Sequence, residues 1–305
     1  MSVILITGSS SGIGLATALH LARKGHKVYA TMRNPSVSSL SSISNKENLN
    51  IETLALDVNS DESVKKAVKK VLDQEGFIDV LINNAGVSAL GSVEELLLDD
   101  FRNDMETNYF GTVRCIQAVL PSMRVRKAGI IINNSSVAGK VYSNFHASYA
   151  PTKAAVEALS ECLAQEVQPL GIRVVLVEPG VIDTPILSKN YQMPGKTNYP
   201  NVQRFLAFFA ASVENHVRPE EVAIVIDDII EGKSTKFRNP AGPDSAPLLQ
   251  FRASQTDEEW VASTSIDNET WISAMEQGMN LKVRPYMEDA TLIKFEAHQE
   301  ASLSH

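Results

Sequence analysis

Apolar and polar positions follow two periods along this chain, one fitting buried strands and one fitting helices. Val3-Ile4-Leu5-Ile6 is a short unbroken apolar run, the pattern of a strand covered on both faces. A Gly/Ser turn follows, then Ile13, Ala16, Leu19 and Leu21 at helical spacing, with Gly25 closing the helix. Residues 27–31, Lys-Val-Tyr-Ala-Thr, predict the next strand, so the first thirty or so residues form a βαβ unit with a right-handed crossover. Further strands are expected over 51–57, 79–83, 129–134 and 173–177. Between them, Val64, Ala67, Val68, Val71 and Leu72 form a helical stripe whose wet side carries Lys65, Lys66, Lys69 and Lys70.

Six such repeats without a break predict an α/β fold, a single doubly wound Rossmann-type parallel sheet. Residues 1–240 are expected to form the dinucleotide-binding and catalytic domain, with the Ser-rich stretch 36–44 a loop inside it. The pattern fails at 185–217, which reads as an irregular substrate loop ending in the burst Phe205-Leu206-Ala207-Phe208-Phe209. Residues 241–305, with Pro243, Pro247, Trp260 and Trp271, read as a C-terminal extension packed on the main domain.

Composition narrows the function classes. A net charge of −8 argues against nucleic acid, whose binding rests on clustered Lys and Arg. It leaves a phosphate-bearing cofactor open, because backbone N–H groups hold phosphate without basic side chains. Two cysteines, Cys115 and Cys162, allow neither a disulfide framework nor a four-ligand zinc site; both read as small core residues, and no metal is expected. The N-terminus reads as a first strand and not a signal peptide, and no apolar run is long enough to span a bilayer. A cytoplasmic location is the default expectation.

Five constellations carry chemistry. Gly8-Ser9-Ser10-Ser11-Gly12-Ile13-Gly14 lies between a strand and a helix; its glycines let the backbone approach a pyrophosphate seated on the helix N-terminus. Its spacing, G-x-x-x-G-x-G, departs from the common G-x-G-x-x-G fingerprint. The second strand ends in Thr31-Met32-Arg33-Asn34, an arginine and no acid, which favours NADP(H) over NAD(H). Asn83-Asn84-Ala85-Gly86 and Ser136 each end a strand on the carboxyl edge of the sheet, where doubly wound folds bind ligands. Tyr149 and Lys153 lie four apart, on one helix face, with Pro151 tolerable in the first turn. A nearby ammonium is expected to lower the tyrosine pKa and fit it for acid–base work near neutrality. By itself, Tyr-x-x-x-Lys is a common helix-surface pair.

Together these residues resemble the short-chain dehydrogenase/reductase family over residues 1 to about 230. The match comprises T-G-x-x-x-G-x-G at 7–14, Asp57-Val58, N-N-A-G at 83–86, Asn108, Ser136, Tyr149 with Lys153, and Pro179-Gly180 with Thr184. Within the family, residues 28–33 and the long extension are similar to the branch with 17β-hydroxysteroid dehydrogenase type 1 and photoreceptor retinol dehydrogenase. The resemblance implies that Ser136 holds the substrate carbonyl, Tyr149 is the acid–base, and Lys153 tunes it and binds the nicotinamide ribose. It further implies that Asn108 serves a proton relay through a water. Asp57, beside Val58, would meet adenine, and Asn84, Ala85 and Gly86 the adenosine ribose. Pro179, Gly180, Ile182 and Thr184 would border the nicotinamide amide. Asn83 reads equally well as structural. Tyr191, Met193, Tyr199, Phe205, Leu206, Phe208 and Phe209 suggest a hydrophobic carbonyl or alcohol substrate, although the Phe205–Phe209 stretch could equally be a buried amphipathic helix or subunit interface. Lys196 alone is no anion trap. A homodimer or homotetramer is expected through segments 100–124 and 149–168. A non-catalytic NADP-binding redox sensor and a nucleotide-sugar epimerase or dehydratase remain the competing classes.

Overall fold

A computed structural model of the chain describes residues 1–190, 197–214 and 217–293. Seven strands form one sheet: β1 (Val3–Ile6), β2 (Lys27–Met32), β3 (Ile51–Ala55), β4 (Val80–Asn83), β5 (Gly129–Asn134), β6 (Ile172–Pro179) and β7 (Arg238–Ala241). Their order is β3-β2-β1-β4-β5-β6-β7, and every pairing is parallel. The order reverses at β1, so a crevice opens beyond the carboxyl ends of β1 and β4.

Helices cover both faces. On one lie α1 (Gly12–Arg23), α2 (Leu40–Glu47) and the later Pro219–Ile230; on the other lie α3 (Asp61–Glu75) and the helices Gly111–Arg126 and Ala150–Val167. Strand side chains alternate between the layers: Ile4 and Ile6 pack with α1, and Val3 and Leu5 with α3. Both layers are apolar, which is why the strands read as unbroken apolar runs. Cys115 is buried as expected, whereas Cys162 is exposed, on the outer face of its helix.

The remaining helices, in chain order, are α4 (Leu98–Met105), α5 (Gly111–Arg126), α6 (Ala150–Val167), α7 (Pro185–Asn190), α8 (Val202–Glu214), α9 (Pro219–Ile230), α10 (Ser245–Ala253), α11 (Asp257–Ala262), α12 (Asn268–Gly278) and α13 (Arg284–Glu288). The apolar burst at 205–209 is thus helical. α8 turns Phe205 and Phe209 toward Leu90, Phe145 and Val181, beyond the carboxyl ends of the strands, and Ala207, Ala210 and Ala211 toward Ile272, Val283 and Tyr286 of the extension. β7 straddles the boundary expected at residue 240 and joins the sheet edge. Among the described residues, no helix is long and apolar enough to cross a membrane.

Candidate active site

The turn after β1 is built for close approach. Gly8 has φ +70°, and a Cβ there would lie 2.7 Å from Ala85 Cα. A Cβ on Gly14 would lie 2.3 Å from the Gly8 carbonyl oxygen. The Ser11 side chain makes no capping bond to α1, and no acid stands in its first turn. The N–H groups of that turn therefore face the crevice uncapped, as an anion site requires. The turn is held from the neighbouring strand: Asn84 Nδ2 donates to the Thr7 and Gly8 carbonyls, both at 3.0 Å, and Thr7 Oγ1 accepts from the Ala85 backbone N at 3.1 Å. The Asn84 amide is thus spent inside the protein, and what Asn84, Ala85 and Gly86 offer the crevice is backbone. Asn83 donates to Asn133 Oδ1 at 2.8 Å and is structural.

Ser10, Ser11, Gly12, Ile13, Arg33, Asp57 and Val58 line the same crevice, together with Pro179, Gly180, Ile182 and Thr184 across from them. Arg33 is exposed at the tip of β2. Asp57 accepts from the Asn59 backbone N at 3.0 Å, leaving part of its carboxylate for a ligand. Of the cofactor residues expected from the sequence, Gly14 alone does not face the crevice; it packs the turn from behind.

The proposed catalytic side chains meet where this crevice opens into a second, apolar lobe. The two share one cleft of about 870 Å³. Ser136 lines the cleft with Tyr149, close enough to oppose the rise of its pKa, and its Oγ accepts from Ala138 N at 3.1 Å. Lys153, only 6 % exposed, donates to the Asn134 carbonyl at 2.8 Å, with Nζ 5.6 Å from the Tyr149 ring centroid. Asn108 lies in a π-helical turn, Glu106–Phe110, between α4 and α5. Its Nδ2 donates to the Val87 carbonyl and to Thr152 Oγ1, both at 2.9 Å, and its Oδ1 accepts from Val87 N at 2.8 Å. Asn108 therefore fastens the loop after β4 to the first turn of α6, one residue before Lys153.

Burial pushes the Tyr149 phenol up to about 12, with Ser136 opposing and the Asp104 carboxylate adding to the rise, and burial brings Lys153 down to about 8. Withdrawing both groups from water penalises both charged forms.

The family model for short chain dehydrogenases matches residues 2–195. The chain belongs to the short-chain dehydrogenase family. It is 37% identical over 246 residues to a 3-ketodihydrosphingosine reductase from Bacteroides thetaiotaomicron, covering 79% of this chain and 88% of the relative. It is 36% identical to retinol dehydrogenase 8 from Bos taurus, covering 82% and 84%. It is 35% identical to 17-beta-hydroxysteroid dehydrogenase type 1 from Homo sapiens, covering 82% and 80%. Among solved structures, a short-chain dehydrogenase from Streptomyces avermitilis matches with TM-score 0.71 at 28% identity, covering 92% of this chain and 97% of that one. An actinorhodin polyketide ketoreductase variant with NADPH matches with TM-score 0.69 at 27% identity, covering 78% and 95%.

The apolar lobe of this short-chain dehydrogenase draws on fewer loop residues than the sequence suggests, and on more of the extension. Phe205, Phe208 and Phe209 line it. Leu206 does not, and Tyr199 instead bonds Glu94 outside the cleft. Tyr191, Met193 and Lys196 lie outside the described residues. Trp260, Val261, Ile266, Trp271 and Met275 of the extension complete the wall, and Trp260 Nε1 donates to the Tyr142 carbonyl at 2.7 Å. The extension is thus part of the site.

Sequence reasoning passed over three further residues. Asp244 accepts from Val181 N at 2.8 Å and crowds Gly180, where a Cβ would lie 2.0 Å from its carboxylate. Arg204 lies on the lobe wall. His146, 7 % exposed, sits among Tyr149, Phe205 and Phe209 with ring centroids 5.8, 5.0 and 5.5 Å away. The chain turns inward there through Phe145, a non-glycine residue at φ +61°.

Burial pushes His146 down to about 4 from its ordinary 6.5. Between those values the unfolded chain binds a proton that the folded chain refuses, so stability falls as pH drops through this window. At its lower end the loss is roughly 3 kcal/mol, at about 1.4 kcal/mol per pH unit. A His146→Gln variant is expected to show a flatter melting temperature against pH between pH 4 and 6.5. The parent slope persisting in the variant would assign the acid sensitivity to other groups.

Proposed function

We propose that this protein is an NADP(H)-dependent oxidoreductase that interconverts a carbonyl and a primary or secondary alcohol on a hydrophobic substrate. The observation that carries this reading is the meeting of Ser136, Tyr149 and buried Lys153 in one cleft, at the junction of a phosphate-cradling crevice and an apolar lobe. The crevice fits a dinucleotide: the Gly8 turn leaves no room for side chains, and the uncapped N-terminus of α1 faces it. When bound, the nicotinamide gives or takes the hydride, and its oxidised ring adds positive charge beside Tyr149.

The residues divide the remaining work. Ser136 donates to the substrate oxygen and orients it toward Tyr149. Tyr149, protonated through the neutral range, delivers its proton to that oxygen during reduction and takes one back during oxidation. Lys153 holds the ribose hydroxyls and steadies the phenolate as it forms. Both Nδ2 hydrogens of Asn108 are engaged and its main-chain carbonyl accepts from Thr112 Oγ1 at 2.8 Å, so a relay water there would share an oxygen that already accepts one bond. Asp57 and Val58 receive adenine, and Pro179, Gly180, Ile182 and Thr184 receive the nicotinamide amide.

The relatives named for a ketone reductase, a retinol dehydrogenase and a hydroxysteroid dehydrogenase support a lipid-like substrate. The ketoreductase neighbour solved with NADPH supports the cofactor. Arg33, exposed where it lines the crevice at the tip of β2, would meet a ribose 2′-phosphate. Arg33→Asp is expected to lower the NADPH-to-NADH ratio of kcat/KM by about tenfold or more, the worth of one charge-assisted phosphate contact. An unchanged ratio would remove Arg33 from cofactor choice. The exposed Phe110 ring beside α5 suits association as a homodimer or homotetramer, which size-exclusion chromatography with light scattering would read.

The test of the function is a panel of apolar ketones, aldehydes and alcohols, each offered with both cofactors in the matching redox state. Dinucleotide turnover with the corresponding product by mass spectrometry is the expected result. Tight NADPH binding with no turnover across the panel would overturn it in favour of a non-catalytic sensor.

A further inference from the structure

Arg204 is the exception in the substrate lobe. It is 7 % exposed, lies on the lobe wall, and stands beside Phe205 on α8. Its Nε donates to Asn268 Oδ1 and its Nη2 to the Ile266 carbonyl, each at 2.7 Å. The guanidinium carbon lies 5.9 Å from the Trp271 ring centroid. Nη1 is enclosed and bonds to nothing among the described residues. Of the five N–H donors a guanidinium carries, two are used, leaving both on Nη1 and one on Nη2.

No described carboxylate forms an ion pair with this cation, in a chain whose net charge is −8. Asp267 is the acid whose field reaches it, but that carboxylate accepts from Thr270 N at 2.9 Å and Thr270 Oγ1 at 2.7 Å. A buried cation without a partner is costly, and a neutral apolar substrate would need none. A neutral glutamine could donate to the Ile266 carbonyl at less cost. The arrangement makes sense once an anion from the lobe completes it.

We propose that the substrate of this site carries a carboxylate at the end remote from the reacting carbonyl, held by Arg204. This deepens the oxidoreductase reading above and rests on it for the position of the reacting group. The geometry sets the order along the molecule. The oxygen that reacts sits at Ser136 and Tyr149, and an apolar middle runs past His146, Phe205 and Phe208. The carboxylate meets the guanidinium near Ile266 and Trp271. The substrate class is a medium- to long-chain oxo or hydroxy acid. Planar carboxylate matches the guanidinium fork, and Lys at the same place would offer a point charge without that match.

Binding can be read without turnover, because Trp271 lies beside Arg204. Titrating the NADPH-loaded full chain with decanoate and with methyl decanoate, by tryptophan fluorescence and calorimetry, compares the acid with its neutral twin. Decanoate is expected to bind about tenfold or more tightly, the range of one charge-assisted pair. Arg204→Gln should bring the two within about twofold, and Arg204→Lys should keep part of the preference. Unchanged NADPH and methyl decanoate binding by the variants would show that the fold and lobe persist. Equal binding of acid and ester by the parent protein, or a preference that survives Arg204→Gln, overturns the proposal. Turnover of a mid-chain oxo acid separates the two readings. An acid preference in binding with no turnover of oxo acid or ester would leave Arg204 in place and remove the reductase reading.

Discussion

A Tyr149→Phe variant is expected to lose about a thousandfold in kcat on any accepted carbonyl while binding NADPH within about threefold of the parent. The size follows from the role: positioned general acids and bases contribute roughly 10²- to 10⁴-fold. The variant removes one hydroxyl and keeps the ring, so the contact with His146 at 5.8 Å and the packing of the lobe persist. Ser136 keeps the Ala138 N–H, so the loop after β5 stays in place. Stopped-flow turnover and a dinucleotide titration on the same preparation measure the two quantities separately. Turnover within about tenfold of the parent would move the proton to another group, with Ser136 and His146 the nearest alternatives.

Gly14→Ala should weaken cofactor binding, although the residue faces no ligand. In an exposed helix, alanine in place of glycine stabilises by about 1 kcal/mol, so local propensity alone predicts a gain. Here the new Cβ would lie 2.3 Å from the Gly8 carbonyl oxygen and 2.5 Å from Asn84 Nδ2. Neither can yield freely. Asn84 Nδ2 holds the Thr7 and Gly8 carbonyls, Asn84 Oδ1 accepts from Asn134 at 3.0 Å, and the Asn134 carbonyl holds Lys153. The displacement therefore loosens the phosphate turn and the lysine together. Overpacking of this kind costs roughly 1–3 kcal/mol. NADPH affinity should fall by about thirtyfold, the equivalent of ~2 kcal/mol. Gly278→Ala, where nothing lies within 4 Å of the added carbon, is the reference substitution. A melting temperature for Gly14→Ala at or above the parent's would show that the turn opens without strain.

Much of the fold was legible because doubly wound sheets write themselves locally. Strands buried on both faces read as apolar runs, and six of the seven were placed within two residues of their observed ends. β7 escaped because Arg238-Asn239-Pro240-Ala241 shows neither a run nor alternation. It pairs on one side only, with β6, where an edge strand tolerates proline. The Phe205–Phe209 burst was ambiguous for a different reason. α8 is buried against the lobe on one face and against the extension on the other, and a short apolar segment cannot say which neighbour takes which face.

What the sequence by itself determined was the cofactor turn, the Ser136, Tyr149 and Lys153 constellation, and through them the family. These are short-range patterns whose residues lie at set spacings on adjoining strands and turns. Only the tertiary structure decided that the extension walls the apolar lobe, that Asp244 limits Gly180, and that His146 and Arg204 line the same cleft. Each depends on segments tens of residues apart meeting. Spacing places Lys153 beside Tyr149, but only the fold buries both, which pushes the phenol up to about 12 and brings the ammonium down to about 8.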